Sequence, residues 1–199
     1  MSQSVLENVE DYVLQLLGKR LSKHFYYHTI SHTEEVVRNV KHLCEHEQLT
    51  SDETEIAVMA AWFHDTGYIV THENHEDESI RIASAFLRSL DCPPEKIQKV
   101  AACINTTKID SLPAGKIENI LHDADYYLLF EADYFARISM LRRELETFTE
   151  HIYADKEWWT LNLFFLKQQQ FFTSYFQELW KNRKPVLVAE NERILLNLQ

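Results

Sequence analysis

The sequence predicts an all-α protein, a single domain over residues 1–199, on three observations. Apolar residues recur at helical spacing along nearly the whole chain, and no segment shows convincing period-two alternation. Only three glycines (Gly18, Gly67, Gly115) and four prolines punctuate it, too few for a turn-dense all-β fold, a glycine-rich phosphate loop or a dinucleotide fingerprint. A length of 199 residues suits one domain, and 45% hydrophobic against 26% charged residues is a globular balance.

The elements follow in order. Val5, Leu6, Val9, Val13, Leu16 and Leu17 form a first helical stripe, with Gly18 placed to end it. A second helix is expected from Ser31, where Ser31 and Glu34 fit a capping box, and continues through Val36, Val37, Val40, Leu43 and Cys44. A third begins near Asp52, with Glu55 three residues on, and runs through Ile56, Met59, Ala60 and Phe63 to a stop at Gly67. Ile80, Ala83, Phe86, Leu87 and Leu90 mark a fourth, broken by Asp91-Cys92-Pro93-Pro94, and Ile97, Val100, Ala101 and Ile104 a fifth. After a loop at 110–115 comes a sixth with Ile117, Ile120, Leu121, Ala124 and Leu128. Long aromatic-rich helices then extend to about Trp180, and a short one follows Pro185.

The formal net charge of −11 repels nucleic-acid backbones and anionic membranes, so neither is expected as a partner. A small anionic substrate remains possible if a cation in the site offsets the field. Cys44, Cys92 and Cys103 are odd in number and form no C-x-x-C pair, which suits free thiols in a reducing compartment. The N-terminal MSQSVLENVEDY carries acids where a secretory leader would be apolar, and Trp158–Trp180 is interrupted by Lys167 and three glutamines. A cytoplasmic location is the expectation. The aromatic run from Trp158 to Trp180 reads as core or as a homo-oligomer interface.

Three segments bring metal-ligating groups: Tyr27-His28-Thr29-Ile30-Ser31-His32-Thr33, Phe63-His64-Asp65-Thr66-Gly67-Tyr68 and Leu121-His122-Asp123-Ala124-Asp125-Tyr126. His32 falls in the first turn of its helix, where the helix dipole keeps imidazole neutral and able to ligate. Asp65 falls at a helix C-terminus, which costs a carboxylate about 0.3–1 kcal/mol unless a cation lies near. Asp125 flanks the apolar stripe of the sixth helix, whereas Asp123 points further toward solvent, in an outer-shell or hydrated position. Each segment alone also has an ordinary reading: an exposed first-turn histidine, a core histidine beside a loop-capping aspartate, a solvated acid.

Taken together and in this order, the three segments resemble the HD-domain superfamily of metal-dependent phosphohydrolases. Its pattern of a histidine, a His-Asp pair and a distant aspartate falls on His32, His64-Asp65 and Asp125. Tyr27-His28 through Thr33 resembles the family's Y-H-x-x-x-H-T opening, Ala61-Trp62-Phe63 its apolar approach to the pair, and Asp123-Ala124-Asp125 its D-A-D segment. Asn74-His75-Glu76 with Ser79 and Ala83 is similar to the stretch that follows the pair, so the likeness spans about residues 24–130, with 131–199 as a helical extension.

The resemblance implies one divalent cation (Mn, Fe, Mg, Co, Ni or Zn) on His32, His64, Asp65 and Asp125, with hydrolysis of a phosphate ester, a nucleotide being the expected substrate. The alternative is a catalytically silent nucleotide-binding signalling module of the same fold. In the distantly related cyclic-nucleotide phosphodiesterases a histidine placed like His28 is the general acid, and a structural hydrogen bond is the other use for that side chain. His75 or Glu76 would orient the attacking water. Tyr68 stands where some members place a glutamate, which argues against a close deoxynucleotidase mechanism. No histidine pair occurs around 95–115, so one metal rather than two is expected. Lys108 is a candidate substrate contact, as are Arg142 and Arg143, against ordinary surface roles for all three.

Overall fold

The computed structural model describes residues 4–109 and 111–198, and in them every element of regular structure is helical. Helix α1 (Val5–Arg20) is opened by a reciprocal Ser4–Glu7 capping box and buries Val9, Val13 and Leu17. It does not end at Gly18 but two residues later. Open space surrounds Gly18, and its helix penalty of about 1 kcal/mol is offset by the buried Leu17 turn beside it. Helix α2 (Ile30–His46) is capped by Thr29, whose hydroxyl accepts the His32 N–H at 3.3 Å, so the expected Ser31–Glu34 box is not formed. The earlier cap places His32 one turn deep with its backbone fixed.

Helix α3 (Ser51–Phe63) starts near Asp52 as expected, though its capping box is Thr50–Glu53, and it buries every residue from Ile56 to Phe63. Such an all-round apolar surface belongs to a central helix, and α1, α2, α5 and α6 pack against it. Helices α4 (His75–Ser89), α5 (Pro94–Asn105) and α6 (Lys116–Asp125) complete this half. Helix α6 stops at Asp125 instead of reaching Leu128. A separate 3₁₀ turn, Tyr127–Phe130, turns Leu128 and Leu129 into the core.

Helices α7 (Tyr134–Thr149), α8 (Asp155–Gln168) and α9 (Ser174–Asn197) form the rest. Helix α9 runs unbroken through Pro185, against the expectation of a new helix there. The proline forfeits one backbone bond, but Trp180, Leu187 and Asn191 bury a common face against α8, which carries the helix across it. Of the aromatic run, Trp158, Phe171, Phe176 and Trp180 are core residues, whereas Phe164 is 65% exposed. One continuous hydrophobic core runs from Val9 to Leu187. Among the described residues no helix is long and apolar enough to cross a membrane. All three cysteines are free, and burial pushes the Cys103 thiol up to about 12 and that of Cys44 up to about 11, leaving neither a thiolate near neutral pH.

Candidate metal centre

Four side chains from three helix ends converge where α2, α3 and α6 meet. His32 projects from the first turn of α2, His64 and Asp65 follow the last residue of α3, and Asp125 closes α6. His64 donates its Nδ1 proton to the Ala61 carbonyl oxygen at 2.7 Å, so its Nε2 lone pair is aimed inward. That Nε2 lies 3.1 Å from Asp65 Oδ2 and 3.5 Å from Asp125 Oδ1. His32 Nε2 lies 3.4 Å from Asp65 Oδ2 and 3.2 Å from Asp125 Oδ1. Ligand atoms held about 2.0–2.2 Å from one ion stand about 3–3.5 Å from each other, so these spacings are the edges of a coordination shell. The ligand atoms of His32, His64 and Asp125 all fall within 4.8 Å of one another.

A divalent cation fits this donor set for a second reason. Five buried side-chain atoms among the described residues lack a hydrogen-bond partner, and four belong here: both ring nitrogens of His32, His64 Nε2 and Asp65 Oδ2. An unmatched buried polar atom costs about 1–3 kcal/mol, and three of these four, His32 Nε2, His64 Nε2 and Asp65 Oδ2, lie together where one cation could bond them. The electrostatics agree. Burial opposes ionisation of Asp65, but the His64 and His75 imidazoles outweigh it and hold the carboxyl well below the usual range. Burial likewise disfavours a charged His64, yet Asp65 and Asp125 draw a proton onto it and raise its pKa well above the ordinary value. Carboxylates that attract a proton so strongly attract a cation equally.

The surrounding residues are held in place with little slack. Gly67 permits a close approach: a Cβ there would stand 1.8 Å from the His75 carbonyl oxygen, and its N–H bonds Ser79 Oγ at 2.8 Å. Asn74, in the left-handed region at φ 53°, turns the chain into α4 and presents His75. His75 Nε2 reaches to 3.4 Å from Asp65 Oδ1, Tyr68 stacks on its ring at 3.7 Å, and the Glu76 carboxylate, buried rather than solvated, lies 3.6 Å from Nδ1. Behind His32 the Tyr127 ring packs at 6.2 Å, its hydroxyl donating to Glu35, which also takes Arg137 at 2.6 Å. Tyr127, Glu35 and Arg137 line a polar cleft of about 510 Å³ with Arg38 and Asn39.

His28 is brought to the edge of the cluster, its ring 5.6 Å from that of His32 and 4.7 Å from that of Tyr68. Lys108 lies further out, its ammonium paired with Asp77 at 2.6 Å. Arg142 is committed to Glu146, Asp155 and the Tyr153 carbonyl oxygen, while Arg143 lies over the Tyr26 ring at 3.9 Å.

Two residues depart from the sequence expectation. Asp123 is fully buried, not solvent-facing: it accepts Phe172 N–H at 2.9 Å, Thr173 N–H at 2.7 Å and the Thr173 hydroxyl at 2.6 Å, tying the start of α9 to α6. The helical wheel of α6 misplaced it because the far side of that helix is covered by a segment 50 residues away. Glu144, assigned no role from the sequence, is also fully buried and accepts the Tyr27 N–H at 2.9 Å, the His28 N–H at 3.1 Å and His28 Nδ1. Its signal was its place between Leu141 and Phe148, a carboxylate on an apolar helical stripe. Burial opposes ionisation of Glu144, but the bond from His28 prevails and lowers its pKa; the same contact raises that of His28 despite desolvation.

A family model described as HD domain matches residues 29–129, just over half of the chain. The fold also superposes on the crystal structure of a predicted HD superfamily hydrolase from an uncultured Thermotogales bacterium. That match has a TM-score of 0.63 and 19% identity, and covers 99% of this chain and 100% of the other. At that identity the likeness is one of fold. No curated protein matches the chain.

Proposed function

The chain belongs to the HD-domain family, and from that premise we propose that it is a metal-dependent phosphohydrolase acting on a phosphate ester of a nucleotide. His32, His64, Asp65 and Asp125 hold one divalent cation. Bound there, the cation supplies a Lewis acid for the phosphoryl oxygens and lowers the pKa of water. It also reverses, locally, the repulsion that a chain of net charge −11 exerts on a phosphate.

The chain's own residues do the rest. His75 and Glu76 orient the attacking water and take its proton, and Tyr68, stacked on His75, keeps that ring from turning. His28, at the rim, faces the departing oxygen. Lys108 meets the outer part of the substrate from the surface.

One observation carries this reading: the unpartnered buried atoms His32 Nε2, His64 Nε2 and Asp65 Oδ2 crowd together beside Asp125. The test is a phosphatase and phosphodiesterase screen across nucleotides with Mn, Mg, Co, Ni, Fe and Zn, alongside metal analysis of the purified protein. Hydrolysis that requires one of these ions is expected. Saturable nucleotide binding with no phosphate released under any ion would make the protein a silent binding module instead.

A further inference from the structure

His28 and Glu144 both lie outside the matched segment 29–129, yet they meet at the rim of the metal centre. Resting on the phosphohydrolase reading, we infer that Glu144 is a positioning residue that fixes His28 as the proton donor to the leaving oxygen, so that helix α7 completes the active site. The geometry is specific. Glu144 is fully buried, and an unmatched carboxylate in such a place would be expensive, but three N–H groups bond it. Its Oε2 takes both backbone N–H groups at the turn before α2, Tyr27 at 2.9 Å and His28 at 3.1 Å, and its Oε1 takes the His28 ring through Nδ1. Main chain and side chain of His28 are therefore held by one carboxylate, 116 residues away.

With Nδ1 engaged, Nε2 is the ring's remaining proton donor, on a side chain that is 18% exposed beside His32, Tyr68 and His75. A carboxylate on Nδ1 sets the tautomer and orientation of the imidazole and stabilises its protonated form. In the reaction, the oxygen of water forms its bond to phosphorus as the bond from phosphorus to the leaving oxygen breaks. The water gives a proton to the His75–Glu76 pair. The leaving oxygen takes the Nε2 proton of His28, whose ring is left neutral, its proton on Nδ1 and donated to Glu144 as a hydrogen bond. Solvent then returns a proton to Nε2.

A donor of this kind matters in proportion to how poor the leaving group is. Glu144→Gln keeps an oxygen for the two backbone N–H groups but turns an amide toward Nδ1. It should slow a nucleoside 5′-monophosphate or dinucleotide by about 10²-fold or more. The loss on p-nitrophenyl phosphate or its diester should be at least about tenfold smaller, because nitrophenolate departs without a proton. In a His28→Gln background, Glu144→Gln should change the rate on either ester less than about twofold, since it acts through a ring already gone.

Equal losses on both esters, or an undiminished further loss in the His28→Gln background, would make Glu144 a structural anchor and overturn the inference alone. If Glu144→Gln does not fold, His28→Gln by itself must show the same discrimination between leaving groups, and its absence is equally fatal. A wild-type protein inert on every ester with every ion would overturn the hydrolase reading and this inference together.

Discussion

Two buried polar clusters stand in different helix packings of this molecule, and they differ in one respect. Between α7, α8 and α9, Tyr134 donates to Asn162 at 2.6 Å, Asn162 to Asn191 at 2.7 Å, and Asn191 to the Trp159 carbonyl oxygen at 2.8 Å. That chain closes on itself: each donor has an acceptor, and it holds helices together. Between α2, α3 and α6, imidazoles and carboxylates crowd to 3.1–3.5 Å yet leave four atoms without a hydrogen bond. Burial alone does not mark a functional site, nor does one lone unsatisfied atom such as Trp158 Nε1; several gathered in one place do. A satisfied network answers to stability, and an unsatisfied one answers to a ligand.

The sharpest way to break the contrast is substitution within the second cluster. Asp65→Ala should abolish metal content and lower turnover by about 10³-fold or more, since the Lewis acid contributes several kcal/mol to the transition state. Helicity by circular dichroism should be retained. Full turnover by a metal-free Asp65→Ala protein would end the assignment. Next in size is the thermal response to metal. At about 100 times its dissociation constant an ion adds about 2.7 kcal/mol, a rise of about 5–10 °C in a chain of this length, and EDTA should reverse it in a melting experiment.

The satisfied network should behave oppositely. Asn162→Ala orphans the Tyr134 hydroxyl and an Asn191 acceptor and should cost about 1–3 kcal/mol in urea denaturation, with metal stoichiometry unchanged. Loss of metal in that variant would mean that the two clusters are coupled. The smallest effect belongs to the rim. Lys108→Ala removes a partly exposed pair with Asp77 and should change stability by less than about 1 kcal/mol. If Lys108 meets substrate, KM rises while kcat holds; an unchanged KM would return it to the surface.

Much of this was legible in the sequence, for physical reasons. Helical periodicity is a local property, and it located α1 to α6 to within a few residues. The boundaries slipped where competing caps lay close together, Thr29 against Ser31, and where packing overrode a breaker at Gly18 and Pro185. The convergence of His32, His64, Asp65 and Asp125 was readable because each sits at a helix end, in a segment whose order resembles a family. Asp123 and Glu144 were not, because their partners lie 50 and 117 residues away. A helical wheel reports which face of a helix is apolar, not what covers its other face. Glu144, alone on an apolar stripe, was a visible anomaly whose partner only the fold could supply.

The most direct measurement is a crystal structure of the protein grown with Mn, using the ion's anomalous scattering to locate it. One strong peak should stand about 2.0–2.3 Å from His32 Nε2, His64 Nε2, Asp65 Oδ2 and Asp125 Oδ1. Water alone among those four atoms, with the ion elsewhere or nowhere, would contradict the proposed centre and the chemistry built upon it.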